Sequence, residues 1–489
     1  MVGSMKYLFL AVYAVILVAI GIYSRKRAKT LDDFFLGGRR MGAWMSAFAY
    51  GTTYFSAVIF IGYAGKTGWG FGLSATWIGI GNAVLGSLLA WLVLAKRTRN
   101  MTHKLNVATM PEFFGRRFDS KGLKIAAALM IFIFLVPYSA SVYSGLSYLF
   151  ESVFGISYLT GMIIMAALTA VYLILGGYFA MALSDFFQGI IMLFGIGFTV
   201  FFILRAPQVG GFSAGLQKLA QIDPALTKPV GPPGFLPLIS FVVLTSMGSW
   251  GLPQMIHKFY AIRDESAIKR GTVISTVFAL VVAGGAYFIG GFGRLFLNNQ
   301  VPVDPATGAN NFDMVMPQVL SGALPEALIG IVILLVLSAS MSTLVSLVLV
   351  SSSAISIDLV GGFLAPNMSD RNKRILMQVL CGVFVVLSFV IAVGKFGSII
   401  QLMSISWGTI SGAFLAPFLY GLYWKRTTKA SAWAGIIGGI VIMSVLFFGF
   451  RLDAPMAGTI TMGINLVVVP VVSLLTGKMP EEKLSEIYG

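Results

Sequence analysis

Charge, cysteine and histidine are all scarce in this chain of 489 residues. Its single cysteine, Cys381, sits in an apolar run, which excludes an intrachain disulfide and a cysteine-based metal centre. The two histidines, His103 and His257, fall in or beside basic connections, where solvated side chains are expected; they do not cluster as zinc ligands do. Only 11% of residues are Asp, Glu, Lys or Arg, against about 25% in soluble domains. A water-soluble globular fold is thereby excluded. No glycine-rich phosphate loop occurs, so nothing points to ATP-driven pumping. The connections hold no Ser/His/Asp arrangement or other acid–base constellation, so neither an enzyme nor an organic cofactor is expected. No small-residue cleavage site follows the first apolar run, Tyr7 to Tyr23; Arg25-Lys26-Arg27 stand there instead.

Hydrocarbon is abundant. Hydrophobic residues make up 57% of the chain and mean hydropathy is +0.89, which describes an all-α polytopic membrane protein. Thirteen transmembrane helices are predicted, at about 5–24, 42–66, 72–95, 122–150, 156–176, 180–204, 234–257, 271–293, 319–357, 375–394, 398–424, 430–450 and 456–476. With the N-terminus outside, the cytoplasmic set holds Arg25 to Arg40, Lys96 to Lys124, Lys258 to Arg270, Arg371 to Arg374, Lys425 to Lys429 and the tail. These carry 26 of the 34 Lys and Arg, the bias of the positive-inside rule. The net charge of +16 therefore sets topology and implies no nucleic-acid partner. The expected location is the cell (inner or plasma) membrane, multi-pass, with the C-terminus cytoplasmic.

Two spans are interrupted by residues that break membrane helices. The second runs Tyr50-Gly51-Thr52-Thr53-Tyr54-Phe55-Ser56-Ala57, and the seventh runs Thr245-Ser246-Met247-Gly248-Ser249-Trp250-Gly251-Leu252-Pro253. They lie five spans apart, at matching positions of two halves, and an odd repeat reverses the orientation of the second half. Paired breaks of this kind point to a transporter binding site, although Gly and Pro also kink membrane helices with no such role. Outside the spans, the proline- and glycine-rich 205–233 stretch reads as an external cap or a flexible link. Met110-Pro111-Glu112-Phe113-Phe114 reads as a short proline-started helix at the inner surface.

Inside the ninth span, Ala339, Ser342, Thr343 and Ser346 fall at i, i+3, i+4 and i+7, one polar stripe on one helix face. Neutral oxygens in that pattern suit a hard cation. Small and hydroxyl residues equally let two membrane helices pack closely. Spacing alone leaves both readings open. One carboxylate, Asp185, lies one to two turns inside the cytoplasmic end of its span, a functional candidate or a salt-bridge partner. Arg294, near the outer end of its span, is expected to snorkel toward water.

Asp32-Asp33-Phe34-Phe35-Leu36-Gly37-Gly38-Arg39 follows the first span, and Gly176-Gly177 leads to Ser184-Asp185 and Gln188. Ala339-Ser340-Met341-Ser342-Thr343 is followed by Ser351-Ser352-Ser353 and by Asp358-Leu359. In this order the motifs resemble the sodium:solute symporters, the group of bacterial proline, pantothenate and sialic-acid carriers and the sodium/glucose cotransporters. The resemblance covers essentially the whole chain. It implies a LeuT-like core of two inverted five-helix repeats, 42–204 and 234–424, with an extra N-terminal helix at 5–24 and two C-terminal helices at 430–476.

The resemblance further implies Na⁺ as the coupling ion, held by the carbonyls of Thr52, Phe55 and Ala339 and the hydroxyls of Ser342 and Thr343. Some members hold a second sodium on the equivalents of Asp185, Ser342 and Ser346; here Val345 stands where those members have another hydroxyl. Substrate is expected at the midplane near Tyr54, Phe55, Ser56, Ser249 and Trp250. Proline carriers have an aspartate where this chain has Tyr54, and a Trp and a Tyr where it has Thr245 and Ser249. Thr53-Tyr54-Phe55-Ser56-Ala57, Gln221-Ile222-Asp223-Pro224 and Gly251-Leu252-Pro253 look closer to the pantothenate and monocarboxylate branch. The implied function is sodium-coupled import, by alternating access, of a small carboxylate-bearing solute such as pantothenate, a monocarboxylate or an amino acid. Rival readings on the same scaffold are a proline-type symporter, a proton-coupled carrier and a membrane sensor. A channel is disfavoured because no ring of pore-lining charges is visible.

Overall fold

A computed structural model of the protein describes residues 2–25, 30–304 and 308–488. Lys26, Arg27 and Lys29 of the first basic connection lie outside these residues. Regular structure among the described residues is helical, and β pairing is confined to two isolated bridges, Met41 with Ile262 and Val303 with Asn310. Among the described residues ten helices are long and apolar enough to cross a membrane, or eleven if the bent pair Phe235–Gly251 and Pro253–Tyr260 is one span. Two runs are long enough for two crossings. Val58–Lys104 has 47 residues, and Tyr158–Arg205 has 48 with a kink at Gly177, φ 56°. At about 1.5 Å per residue either run is roughly 70 Å long, more than twice the hydrocarbon thickness of about 30 Å.

Burial sorts the helices into centre and rim. In Ile329–Leu364 and Ile399–Tyr423, 89% of the most apolar window is buried, whereas the figure is 28% for Tyr7–Ser24 and 33% for Ala454–Leu475. The first two are buried because protein surrounds them, and their hydroxyls face other helices; the others present Val15, Val467 and Leu474 outward, as lipid-facing helices do. The ninth span starts later than expected. A separate helix, Val315–Ala323, precedes it, Leu324 is extended, and the long helix begins at Glu326. Pro325 restricts the residue before it to extended backbone and so separates the two.

Both interruptions are real breaks. Ala43–Tyr54 ends where Phe55 turns extended (φ −110°, ψ 114°), and helical structure resumes before Val58. Phe235–Met247 tightens into Gly248–Gly251, Leu252 is extended (φ −82°, ψ 123°), and Pro253–Tyr260 leaves at a bend of 48°. Pro253 explains the second break, since it lacks an N–H and forbids helical geometry at Leu252. Behind the first break, glycine allows backbones to touch. A Cβ on Gly68 would lie 2.1 Å from the Gly290 carbonyl carbon, and one on Gly290 would lie 2.1 Å from the Ala64 oxygen.

The 205–233 stretch is an ordered cap. It contains a helix, Phe212–Ile222, and docks through Gly231 N–H to Ser74 Oγ (3.1 Å) and Trp77 Nε1 to the Pro229 carbonyl (3.0 Å). The proline-started helix forms as Met110–Arg117, with Thr109 Oγ1 accepting from Glu112 N–H.

Candidate functional site

Where Ala43–Tyr54 ends, its last carbonyls lose their helical partners, and the hydroxyl stripe of Glu326–Ser353 faces them. The Thr343 hydroxyl donates to the Thr53 carbonyl at 3.0 Å and lies 3.1 Å from the Ala339 carbonyl and 3.5 Å from the Thr52 carbonyl. Ser342 Oγ donates to Thr52 Oγ1 at 2.8 Å. Thr53 Oγ1 is 2.9 Å from Ser346 Oγ. A hydroxyl has one proton, so Thr343 cannot satisfy three carbonyls together. The cluster therefore carries surplus acceptor capacity, buried among neutral oxygens. Thr52, Ala339, Ser342 and Thr343 are brought together here. Phe55 lies at the break itself, with its ring stacked on Tyr54. Thr53 also belongs to this cluster and was missed in the sequence, where it is one of two adjacent threonines with nothing to separate them.

Asp185 is fully buried, and its partner is a residue the sequence placed in a cytoplasmic connection. Lys258 Nζ lies 3.9 Å from Asp185 Oδ2 and donates to Ser346 Oγ (2.9 Å) and toward Met181 Sδ (3.4 Å). Pro253–Tyr260 resumes inside the protein after the second break, and this carries Lys258 inward. The same geometry corrects the expectation for His257. It is 5% exposed, stacked on Phe35 at 4.2 Å and edge-on to Tyr178, not solvated. Arg294 does not snorkel freely: its Nε donates to the Trp69 carbonyl (2.9 Å), Nη1 to Asn299 Oδ1 (2.8 Å), and the guanidinium covers the Trp69 ring.

The expected solute residues form a knot between the two breaks. Tyr54 Oη donates to the Thr245 carbonyl at 2.6 Å and its ring stacks on Phe55 (4.4 Å) and Trp407 (6.2 Å). Ser249 Oγ donates to the Ser246 carbonyl (2.8 Å), Trp250 Nε1 to the Leu85 carbonyl (2.9 Å), and Ser56 Oγ accepts from Val58 N–H (3.2 Å). Asn82 Oδ1 takes the hydroxyls of both Thr245 (2.9 Å) and Ser246 (3.0 Å). Trp407, Tyr138 and Asn82 complete this knot; a lone Trp or Asn inside an apolar run offered no signal to find them.

At the Ser398 end of Ile399–Tyr423 a cavity of about 540 Å³ is lined by residues including Lys66, Phe71, Phe241, Gln401, Arg451 and Asp453. None of the five expected solute residues lines it. Near its rim, Asp313 Oδ2 accepts from the Ile399 N–H at 3.1 Å, the first turn of Ile399–Tyr423. Burial pushes the Asp313 carboxyl up to about 6. At the opposite end of the bundle the helix ends are latched. Lys124 Nζ reaches Glu112 (3.4 Å) and Asp358 (3.3 Å), Thr109 Oγ1 donates to Asp358 Oδ1 (2.8 Å), and Arg39 Nη2 donates to the Val107 carbonyl (2.8 Å).

Comparison with known proteins agrees with this architecture. Residues 34–439 match the model of the Sodium:solute symporter family. The sodium/proline symporter of Salmonella typhimurium is 30% identical over 488 residues, covering 98% of this chain and 94% of that protein. The sodium/proline symporter of Staphylococcus aureus (strain bovine RF122 / ET3-1) is 32% identical over 457 residues, covering 90% and 85%. Among solved structures, a Na⁺-coupled sialic acid symporter in a substrate-bound outward-open state superposes with a TM-score of 0.79 at 19% identity, covering 97% and 98%. A nucleobase-cation-symport-1 family transporter in a closed conformation follows at 0.54 and 14% identity, covering 93% and 97%. The structural likenesses establish a shared helical transporter fold.

Proposed function

This chain belongs to the sodium:solute symporter family, and on that premise we propose that it imports a small carboxylate-bearing organic solute driven by the Na⁺ gradient. The observation that carries the reading is the Thr343 hydroxyl facing three carbonyls within 3.5 Å, acceptor capacity that a hard cation satisfies. Na⁺ is cargo here, held by the Thr52, Phe55 and Ala339 carbonyls and the Ser342 and Thr343 hydroxyls. It ties the first break to the stripe helix. Solute binds beside it when the Tyr54, Phe55, Ser56, Ser249 and Trp250 knot opens, and half-helix ends supply its polar contacts. Each cargo raises the other's affinity by an equal factor, which is the thermodynamic content of coupling.

The long runs Val58–Lys104 and Tyr158–Arg205 support a thirteen-span count, with the first run and Ala43–Tyr54 making two crossings and the second making two. The repeats are then 42–204 and 234–424, after an extra helix at 5–24 and before two helices at 430–476. The N-terminus is outside and the C-terminus cytoplasmic, consistent with the basic connections. The open outer cavity and the latched inner ends fit an outward-facing state.

A second reading, proline as the solute, is favoured by the curated relatives, which are sodium/proline symporters at 30 to 32% identity. Against it, the Tyr54 hydroxyl, committed to Thr245, stands where the family resemblance puts an aspartate in proline carriers. Uptake into proteoliposomes decides between these readings. Labelled proline, pantothenate and short monocarboxylates are offered with an inward Na⁺ gradient, a proton gradient or neither. Sodium-driven uptake of one solute is expected; uptake that follows protons and ignores Na⁺ sinks the proposal.

A further inference from the structure

Of the three residues expected to hold a second sodium, Asp185, Ser342 and Ser346, two lie beside an ammonium, that of Lys258. We propose that Lys258 is a built-in cation of this pocket, so that the protein binds a single coupling Na⁺, at the Thr52, Ala339 and Thr343 cluster. The inference rests on the sodium-symport reading above and extends it to the number of ions.

Lys258 has no solvent-exposed surface and Asp185 has none either. An ammonium has three donors and no acceptor. Here they point to Ser346 Oγ at 2.9 Å, to Met181 Sδ at 3.4 Å and toward Asp185 Oδ2 at 3.9 Å. The Tyr178 ring lies 5.5 Å from the same nitrogen and adds a negative face. Ser346 in turn is hydrogen-bonded to Thr53, so the lysine reaches the first break through one hydroxyl. Ser346 Oγ, which a second Na⁺ needs, is thus engaged by nitrogen; the ammonium faces Asp185 Oδ2 across 3.9 Å as an ion pair without a hydrogen bond, and Val345 supplies no replacement hydroxyl.

Electrostatics leads to the same result. Lys258 and Asp185 are mutually neutralising at a fully buried position, where an unpaired charge is strongly disfavoured. Adding Na⁺ places two positive charges against one carboxylate. Among the described residues the other carboxylates lie elsewhere: Asp358 faces Lys124 and Thr109, and Asp313 faces Ile399. The pocket is electrically complete with its lysine. A fixed cation also arrives on the helix after the second break, so it connects Pro253–Tyr260 to the stripe helix permanently, where a soluble ion does so only when bound.

The test counts ions on the purified full chain by equilibrium binding of radioactive Na⁺. The expected result is one Na⁺ per parent chain and two per chain in Lys258→Gln, which keeps Asp185 and frees Ser346. Two ions on the parent overturn the inference and leave symport standing. None on the parent overturns the symport reading together with it. One ion on both parent and Lys258→Gln also overturns the inference, because the lysine then excludes nothing. Should Lys258→Gln not be recovered folded, the neutral pair Asp185→Asn/Lys258→Met takes its place. That variant is expected to keep one Na⁺ per chain; loss of Na⁺ binding makes Asp185 a ligand of the bound ion and refutes the lysine's role.

Discussion

Removing the Thr343 hydroxyl separates cation binding from helix packing by direct measurement. The group lies 3.0 Å from the Thr53 carbonyl and 3.1 Å from that of Ala339. If the stripe only packs two helices, Thr343→Ala loses one neutral buried hydrogen bond, about 1 kcal/mol of stability, and Na⁺ dependence stays as it was. If the hydroxyl is one of the ion's five oxygens, the lost contact is to a charge, worth about 1.5–3 kcal/mol. The Na⁺ concentration for half-maximal uptake then rises roughly 10- to 100-fold. Thr343→Ser keeps the oxygen and is expected within about threefold of the parent. The assay is initial uptake in proteoliposomes across a Na⁺ series, with the thermal midpoint of each variant measured in parallel. A folded Thr343→Ala protein with parental Na⁺ dependence refutes the assignment, and Ser342→Ala, which loses the Thr52 contact at 2.8 Å, must agree with it.

Gly68→Ala is expected to lower stability by at least about 2 kcal/mol, since backbone lies 2.1 Å from the new methyl. Gly70→Ala, with no atom within 4 Å, is the control, and equal thermal midpoints for the pair contradict the close crossing. Asp313 moves from an ordinary 3.8 to about 6, so between those values the folded state holds its proton more tightly than the unfolded chain. Stability therefore falls as pH rises through that window, on the order of 3 kcal/mol in all, and is flat above it. Asp313→Asn should reduce the slope by about that amount; a slope in thermal midpoints from pH 4 to 7 unchanged from the parent rules it out. For topology, Cys381→Ser removes the native thiol, after which Lys228→Cys should react with an impermeant maleimide from outside whole cells and Arg116→Cys only in opened membranes. The opposite pattern reverses the orientation.

Much of this arrangement is legible in the amino-acid sequence. A hydrophobic chain with two polar, glycine-containing interruptions describes broken helices, because unsatisfied backbone in hydrocarbon needs a polar cavity or a protein neighbour. The stripe was legible because helical periodicity is a one-dimensional rule. Lys258 and His257 were not. They follow Pro253 by five and four positions and precede Arg263, which reads as the start of a basic connection. Only the bend after the second break, a three-dimensional property, turns both inward. Its place at the break marks Tyr54 as a candidate solute contact; that its hydroxyl is committed to Thr245 depends on the second break lying opposite, which no local pattern records. The exact number of crossings stayed open for a related reason: kinks such as Gly177 interrupt a helix without interrupting its hydrogen-bonded run.

The contact between Gly68 and Gly290 has a mechanical consequence. Two helices whose backbones touch without side chains between them cannot slide or roll past each other without a collision. The outer half of the first broken helix and the helix Glu265–Gly291 must then travel as one stiff lever. Bending is left to the extended residues Phe55 and Leu252, where few helical hydrogen bonds resist it. A transport stroke in this molecule is set by two short joints, and the rate of turnover should respond to stiffening them more than to any change along the lever itself.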